Sequence, residues 1–412
     1  MQKLPVILLA AGKGTRLAPL TDTIPKPLLR IAGVPIIGHT LRQIQPYASE
    51  AIIVIGHKKE AFEQTIGTQF EGLPLRYVEQ TRQQGTGHAA VQVRGILDSD
   101  YCYLLYGDDY YGSDLLKELA GTEGNSIIGV RKTDWQRYGV LVPGEDGMLA
   151  DLVEKPEEFI SDLVNTGAYK LNTAFLEEFE RVQESPRGEL ELTDMVRAYA
   201  KHSPVRVVKS RGTWIPVGYP WDLLTLAEYL LSRMDSDIKG VIEVGAVVKG
   251  KLRLGAGSVI KAGAYLDGNI AIGENCTIGP NCYIRNFASI GDGCIVGAST
   301  EIKGSILGNG TKAPHLAYIP DSVLGNNVNY AAGCVTANLK HDDSNVRAMI
   351  KGELIDTGRR KFGTVIGDNA RLGINTSIYP GRMIGYAGRT LPGSVVTENV
   401  QGETATVHDE LQ

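Results

Sequence analysis

Hydrophobic and polar positions alternate differently in the two parts of the chain. In the first part, short apolar runs such as residues 6–9 and 101–105 alternate with amphipathic stretches such as residues 113–120. Buried strands that alternate with helices are typical of a mostly parallel sheet with helices on both faces. The pattern therefore predicts an α/β domain with a Rossmann-like, mostly parallel sheet over residues 1–235, closed by a helix over residues 221–234.

Aliphatic residues recur at every sixth position after residue 239. Eleven consecutive positions in this register, from Ile242 to Ile302, are Ile, Leu or Val, and the fourth residue after most of them is small. Such hexapeptide repeats are typical of a parallel β-helix, in which the aliphatic side chain points inward and the small residue fits a corner. We predict a left-handed parallel β-helix over residues 236–400 and a C-terminal tail over residues 401–412.

Composition limits the classes of function. A length of 412 residues favours two domains, and a net charge of −5 lacks the basic excess of a nucleic-acid binder. The five cysteines form no CxxC pair, which argues against a disulfide framework or a zinc site. No apolar run is long enough to span a membrane. We expect neither nucleic acid nor a membrane as a partner.

Both ends of the chain contain strings that resemble targeting signals. The apolar residues 1–11 run directly into a glycine turn, so we interpret them as a buried strand rather than a signal peptide. Residues 408–411 read HDEL, but Gln412 follows them, and an ER-retention signal must be terminal. We therefore expect a cytoplasmic protein.

A glycine-rich turn follows the first apolar run. Residues 8–17 read LLAAGKGTRL, which indicates a strand, a turn and the start of a helix. Glycines let backbone N–H groups approach phosphate oxygens closely, but this spacing fits neither a Walker A loop nor a dinucleotide fingerprint. Lys26 is held between two prolines, and together with Arg16 it can neutralise a triphosphate. A purely structural turn is the alternative that this motif alone leaves open.

The combined pattern LAAGKGTRL…PKPL resembles the signature of the sugar-1-phosphate nucleotidylyltransferase family, and the resemblance extends over residues 5–225. It implies a nucleoside triphosphate and a sugar 1-phosphate as substrates, Mg²⁺ at Asp108, and Arg16 and Lys26 as catalytic residues that bind the phosphates. The remaining implied contacts are with the nucleotide (Ala11, Gly12, Gly14, Thr15, Gln80, Gly85, Thr86) and with the sugar (Gly139, Glu154, Asn165).

One segment departs from this family. The family usually has a second metal-binding carboxylate in the pattern W-x-D-V-G, whereas this chain has Pro216 at that position. A proline side chain cannot bind a metal, so we expect either Asp222 to replace the missing ligand or Asp108 to act with phosphates and water. A weakened or lost nucleotidylyl transfer is the third possibility.

The six-residue register breaks between Ile302 and Leu324 and again from Asn338 to Gly363. Residues in and beside these breaks carry a second resemblance. Residues 312–318, 326–333 and 336–338 resemble the acetyltransferase half of the bifunctional N-acetylglucosamine-1-phosphate uridyltransferase/glucosamine-1-phosphate acetyltransferase family, in its archaeal-type version. The resemblance implies acetyl-CoA as a co-substrate, a homotrimer and His315 as the general base, for which a neutral imidazole is suited. It also implies a set of contacts with the sugar phosphate (Arg285, Lys303, Tyr318, Asn329, Asn338).

The segment over residues 340–361 is an insertion relative to the bacterial pattern and is rich in Arg and Lys. A solvated charged loop and an added anion-binding site explain it equally well.

Several functions remain open at this point. The leading hypothesis is a bifunctional enzyme that acetylates an amino-sugar 1-phosphate and then transfers a nucleotide to the product. The alternatives are a single-activity nucleotidylyltransferase whose β-helix is structural or regulatory, an acetyltransferase whose first site Pro216 has disabled, and a non-enzymatic scaffold. The nucleotide base is either uracil or thymine, and the amino sugar is either glucosamine or galactosamine; the sequence leaves both pairs open.

Overall fold

The computed structural model describes residues 2–56 and 59–403, so the expected tail is described only up to residue 403. The rest of that tail, with the HDEL string, lies outside the described residues. The chain forms two compact units. The first unit comprises Met1–Lys13 and Ile36–Pro216, and the second comprises Gly14–Pro35 and Val217–Gln412.

The strands that precede Val217 are, in chain order, β1 (Leu4–Ala10), β2 (Arg30–Ile31), β3 (Val34–Pro35), β4 (Ala48–Ile55), β5 (Gln69–Phe70), β6 (Leu73–Glu79), β7 (Tyr101–Tyr106), β8 (Tyr110–Tyr111), β9 (Asn125–Arg131), β10 (Gly139–Pro143), β11 (Leu149–Glu154), β12 (Leu163–Asn172), β13 (Val205–Lys209) and β14 (Trp214–Ile215). The α-helices are α1 (Ile36–Ile44), α2 (Lys59–Ile66), α3 (Thr86–Val91), α4 (Ser113–Ala120), α5 (Leu192–Ala200) and α6 (Pro220–Arg233). Short 3-10 helices lie at Thr15–Leu17, Lys26–Leu28, Trp135–Arg137 and Thr173–Arg181.

The first unit is built on a mixed sheet with the order β11-β10-β12-β7-β1-β4-β6-β5, and β9 pairs with both β12 and β13. Its centre is parallel: β1 pairs with β4 and β7, and β4 pairs with β6. β12 joins this centre in the antiparallel direction. Every residue of β1 is buried, as expected for a central strand with both faces covered. The Rossmann-like α/β fold expected from the sequence is confirmed.

The glycine turn does not lead into a full helix. Only one 3-10 turn, Thr15–Leu17, follows it, and the backbone leaves the helical region at Ala18. Pro19 comes next, and a proline disfavours the helical conformation in the residue before it. The helix start expected after the glycine turn is therefore wrong.

Strands of the second unit beyond α6 are β15 (Asp237–Ile238), β16 (Val241–Ile242), β17 (Val247–Lys249), β18 (Leu252–Leu254), β19 (Val259–Ile260), β20 (Tyr265–Ile272), β21 (Thr277–Ile278), β22 (Tyr283–Ile290), β23 (Ile295–Ala298), β24 (Glu301–Leu307), β25 (Lys312–His315), β26 (Tyr318–Pro320), β27 (Val323–Leu324), β28 (Val335–Thr336), β29 (Arg347–Ile350), β30 (Glu353–Asp356), β31 (Val365–Ile366), β32 (Ser377–Ile378), β33 (Met383–Ile384) and β34 (Val395–Val396).

These strands stack in parallel coils. Val241 pairs with Val259, Val259 with Thr277, and Thr277 with Ile295, so each coil consists of three hexapeptides. The larger coil sheet contains β15, β18, β20, β22, β24, β26, β28, β32 and β34 in that order, with further strands beside it. The smaller coil sheet has the order β16-β19-β21-β23-β25.

The six-residue register forms the core of the coils. From Leu254 to Ile302 every position in this register is at most 3% exposed, which confirms the hexapeptide repeats. The five cysteines, all within the described residues, are buried free thiols, and three of them fill small-residue positions of the repeat. Packing therefore accounts for these cysteines.

A ladder of Asn and Asp side chains connects successive coils at one corner. The backbone N–H groups of Asp292, Asn309 and Asn326 donate to the Oδ1 atoms of Asn309, Asn326 and Asp368, over 2.7–2.9 Å. Each side chain thus satisfies a backbone donor of the coil before it. Asp368 ends this series.

The predicted insertion is a β-hairpin. β29 and β30 pair in the antiparallel direction, and a bridge between Leu339 and Lys361 closes its base. Val346 and Ala348 are buried, so the hairpin packs on the protein rather than extending freely into solvent. Among the described residues, no helix is long and apolar enough to span a membrane.

Candidate functional sites

The glycine turn lies directly against Lys26 within the second unit. Gly14 has φ 63°, and a Cβ there would lie 2.9 Å from the Cβ of Lys26, so only glycine fits. The Thr21 hydroxyl donates to the Gly14 carbonyl over 3.0 Å. Lys26 is only 6% exposed. The two motifs that the sequence linked by resemblance are therefore in contact.

Arg16 and Thr15 are exposed. The Arg16 guanidinium lies 5.3 Å from the centre of the Tyr219 ring, and that ring stacks on Trp221 with centroids 4.7 Å apart. A guanidinium above an aromatic face retains its N–H donors at its edge, where a phosphate can accept them. Tyr219 is a contact that the sequence analysis missed.

The predicted nucleobase segment is tied to the glycine turn within the first unit. Gln83 donates through Nε2 to the carbonyl of Ala11, which is buried, over 2.7 Å, while a Cβ at Gly12 would meet no atom within 4 Å. Gln80 is 3% exposed, and its Nε2 donates to the Gly85 carbonyl over 3.1 Å. Gln83 was missed because an isolated glutamine carries no motif.

Gly85 and Thr86 start α3. Gly85 has φ 110°, and a Cβ there would lie 2.5 Å from the Leu190 carbonyl oxygen. The Thr86 hydroxyl accepts a hydrogen bond from the Leu192 N–H over 3.0 Å. Both residues therefore hold the start of α5 against α3. Burial lowers the pKa of His88, whose Nδ1 lies 3.0 Å from Nε2 of Gln80, which favours the neutral imidazole.

Asp108 is half-buried just beyond the end of β7. The Gly107 N–H donates to the Leu9 carbonyl over 2.8 Å, which holds this turn against the end of β1. Asp109 is buried and accepts a hydrogen bond from the Trp214 indole N–H over 3.0 Å. Asp109 thus supports the fold while Asp108 stays accessible.

Asp222 lies at the start of α6, in the second unit. Its Oδ2 accepts hydrogen bonds from the Gly218 and Tyr219 N–H groups, each over 2.8 Å, so this carboxylate caps the helix. No three His, Cys, Asp or Glu side chains within residues 2–56 and 59–403 are grouped as a complete metal site. Mg²⁺ usually needs only one or two carboxylates when phosphates and water supply the other ligands, so Asp108 fits that role.

The three predicted sugar contacts of the first unit meet at one place. Gly139 pairs with Glu154 across β10 and β11, and a Cβ at Gly139 would lie 2.9 Å from Oε2 of Glu154 and 3.7 Å from the Cβ of Asn165. Asn165 donates to the Tyr169 hydroxyl over 2.6 Å. Burial raises the pKa of Glu154, while Lys155 and Arg187 oppose this effect.

A polar cluster occupies the larger coil sheet. Lys303, 6% exposed, forms an ion pair with Asp321 over 2.6 Å, and Asn338 donates to the same carboxylate oxygen. Arg285 is the register partner of Lys303 in the neighbouring coil and pairs with Glu301 over 2.7 Å. Tyr318 is the register partner of Glu301. Four of the five predicted contacts with the sugar phosphate therefore lie close together (Arg285, Lys303, Tyr318, Asn338).

Asp321 was missed by the sequence analysis, although two predicted residues depend on it. It is 8% exposed and has φ 44°, a left-handed conformation that Asp tolerates better than most residues. The signal was weak, because only its place in the first break of the register distinguishes it.

His315 ends β25 in the smaller coil sheet, and its side chain is exposed. Ala298 is its register partner, and a Cβ at Gly297 would lie 1.9 Å from the Pro314 carbonyl oxygen. Asn329 pairs with Lys312, at the other end of β25. His315 and the Arg285–Lys303 cluster thus belong to different sheets of the coils.

Comparisons with known proteins agree with this architecture. A family described as nucleotidyl transferase matches residues 5–233, and one described as bacterial transferase hexapeptide matches residues 269–304. The bifunctional protein GlmU of Methanocaldococcus jannaschii is 38% identical, and the match covers 92% of this chain and 91% of that protein. A bifunctional sugar-1-phosphate nucleotidylyltransferase/acetyltransferase of Sulfurisphaera tokodaii is 36% identical, covering 95% of this chain and 97% of its own.

A solved structure of UDP-glucose pyrophosphorylase complexed with UDP-glucose shares the fold. The match covers 57% of this chain and 100% of the chain in that structure, with a TM-score of 0.53 and 23% sequence identity.

Fold and sequence matches together define a transferase in which a nucleotidyl transferase domain precedes hexapeptide coils. The chain belongs to the GlmU-type family of bifunctional sugar-1-phosphate nucleotidylyltransferases/acetyltransferases. The family resemblance inferred from the sequence motifs is thereby confirmed.

Proposed function

We propose that this enzyme transfers a nucleotidyl group from UTP or dTTP to a sugar 1-phosphate, and that it also acetylates an amino-sugar 1-phosphate, glucosamine 1-phosphate first, with acetyl-CoA. Together the two steps serve nucleotide-sugar synthesis of the UDP-N-acetylglucosamine type. The observation that carries the proposal is that each unit has its own polar cluster, the first suited to sugar hydroxyls and the second, with two cations, suited to a sugar phosphate. These are Gly139, Glu154 and Asn165 in the first unit, and Arg285, Lys303 and Asn338 in the second.

In the nucleotidylyl step, a phosphate oxygen of the sugar 1-phosphate attacks the α-phosphorus, and pyrophosphate leaves. Arg16 and Lys26 hold the triphosphate, and the carboxylate of Glu154 accepts hydrogen bonds from sugar hydroxyls. Asp108 would hold Mg²⁺, which supplies charge neutralisation at the phosphates; a role for Asp222 there is the weaker proposal, because its Oδ2 already accepts two N–H groups. Catalysis rests on alignment and charge neutralisation rather than on a covalent intermediate.

In the acetyl step, the sugar amine attacks the thioester carbon, His315 takes the amine proton, and the coenzyme A thiolate leaves. The cations Arg285 and Lys303 hold the sugar phosphate, together with Tyr318, Asn329 and Asn338. His315 lies on a different sheet from Arg285 and Lys303. In a homotrimer of left-handed β-helices, the smaller coil sheet of one protomer, with His315, would lie beside the larger coil sheet of its partner. We therefore propose this assembly. The nucleoside triphosphate and acetyl-CoA are both cytoplasmic metabolites, and we therefore place the two reactions in the cytoplasm.

Pyrophosphate release tests the nucleotidylyl half. The enzyme is mixed with N-acetylglucosamine 1-phosphate, Mg²⁺ and either UTP or dTTP, beside an Asp108→Asn variant. We expect the variant to lose about 10²–10³-fold in rate, because it loses charge stabilisation at the reacting phosphates. Asp98→Asn, an exposed carboxylate in the loop before β7, is the matched control. An Asp108→Asn variant with the parent rate, or no release with either nucleotide, would contradict the proposal.

A further inference from the structure

The segment with the proposed triphosphate-binding residues belongs to the coil unit. Residues 14–35 group with the coils, although the chain on both sides of them belongs to the α/β unit. This segment contains Arg16 and Lys26. Whatever fixes it on the coils therefore also fixes these two cations.

One hydrogen bond anchors the segment close to Lys26. The Thr23 hydroxyl donates to Oδ2 of Asp368 over 2.6 Å, across 345 residues of sequence. Asp368 is 7% exposed and is held by Asn326, whose backbone N–H donates to Oδ1 over 2.7 Å and whose Nδ2 donates to Oδ2 over 3.2 Å. The acceptor is the last rung of the corner ladder, so its position is set by the coils themselves.

A second hydrogen bond holds the other end of the segment. The Ala32 N–H donates to the hydroxyl of Ser289 over 2.8 Å, and Ser289 is 4% exposed. Ala32 lies in the turn between β2 and β3 with φ 51°, so this contact fixes a turn as well as a donor. The two anchors flank Lys26 on either side.

A pocket that is open to solvent lies beside the segment. Its volume is about 420 Å³, and Leu20, Leu28 and Val323 are among its lining residues. Ser289 and Asp368, the acceptors of the two anchoring hydrogen bonds, also line this pocket.

We propose that Thr23 and Asp368 are positioning residues for nucleotidylyl transfer: the coils hold the segment so that Lys26 and Arg16 meet the triphosphate. This inference rests on the proposed function. It assigns the coils a task in the nucleotidylyl step, separate from their own acetyl transfer.

A pair of Thr23 substitutions tests this role in the full-length enzyme. Thr23→Val keeps the shape of the side chain but removes the donor, whereas Thr23→Ser keeps the donor. A hydrogen bond to a carboxylate is worth roughly tenfold in an equilibrium constant, so we expect KM for UTP to rise about tenfold in Thr23→Val. We expect KM for the sugar 1-phosphate and the rate of acetyl transfer to be unchanged, and Thr23→Ser to restore the parent KM for UTP.

Thr277→Val, in the coil strand β21 of the smaller sheet, is the matched control and is expected to keep all parent constants. If Thr23→Val does not fold, Ser289→Ala is measured in its place and should raise KM for UTP in the same direction. A parent KM for UTP in Thr23→Val, or an equal rise in Thr23→Ser, overturns the inference. Absence of nucleotidylyl transfer in the parent enzyme would instead overturn the proposed function.

Discussion

At the scale of single residues, Glu154 shows how a neighbour without a side chain shapes a site. Gly139 faces it across the β10–β11 pair, and any Cβ there would lie 2.9 Å from the carboxylate. The carboxylate is only partly exposed to water, and burial raises its pKa in spite of Lys155 and Arg187. A half-buried acceptor of this kind is costly for folding and useful for holding a hydroxyl.

Glu154→Gln should exchange activity for stability. Because the folded pKa of Glu154 is raised, its contribution to stability is fully present below the unfolded pKa and is lost as pH rises through the folded pKa. The glutamine variant does not ionise, so it should melt at a higher temperature than the parent at pH 7.5, with a smaller difference near pH 4. Its nucleotidylyl kcat/KM should fall, since an amide N–H cannot accept from a sugar hydroxyl.

Thermal unfolding at the two pH values and pyrophosphate release measure these effects. A variant that is less stable than the parent at pH 7.5 would show that the ion pairs with Arg187 and Lys155 outweigh the burial of Glu154.

The structure brings together predicted site residues that belong to local motifs. Gly14 and Lys26 lie close together in one sequence pattern, and the structure places them in contact. Asp321, Gln83 and Tyr219 were not predicted, because each acts on a partner that no spacing rule connects to it. Asp321 in particular is defined by a turn conformation and by two donors from different coils.

At the scale of elements, the period of the sequence determined the outcome. A six-residue repeat leads to coils of three repeats each, and the observed register keeps that spacing from Val241 to Ile295. The turn after β1 was less predictable, since glycine spacing suggested a helix and Pro19 allowed only one 3-10 turn. Local backbone restrictions overrode the motif there.

Gly297→Ala should disturb the strand that presents His315. A Cβ at this position would lie 1.9 Å from the Pro314 carbonyl oxygen, so the backbone of β25 must move. We expect a loss of about 1–3 kcal/mol in the free energy of unfolding. Acetyl transfer should fall by up to about 10²-fold, because a displaced general base loses its alignment with the amine.

Gly293→Ala is the matched control for this experiment. Gly293 has φ 65°, but a Cβ there would meet no atom within 4 Å, so the cost of the substitution is limited to backbone strain of about 1–2 kcal/mol. Acetyl transfer should stay near the parent rate in this control. Equal losses of acetyl transfer in both variants would mean that general destabilisation, and not the position of His315, is responsible.

At the scale of the whole molecule, chain order and spatial grouping differ. Residues 14–35 follow the first strand in sequence but group with the coils, through contacts such as that of Thr23 with Asp368. No local pattern predicts a hydrogen bond across 345 residues. The alternation of strands and helices and the hexapeptide period predicted both architectures, whereas this grouping required the structure.

Two activities on one chain are the central claim, and the release of free thiol from acetyl-CoA tests it most directly. The parent enzyme and His315→Ala are mixed with acetyl-CoA and glucosamine 1-phosphate, and pyrophosphate release from UTP, Mg²⁺ and N-acetylglucosamine 1-phosphate is measured in a separate reaction. We predict release by the parent, a loss of about 10²–10⁴-fold in the variant, and unchanged pyrophosphate release in both. No thiol release by the parent, with galactosamine 1-phosphate also tested, would contradict the account and indicate a nucleotidylyltransferase whose coils are architectural.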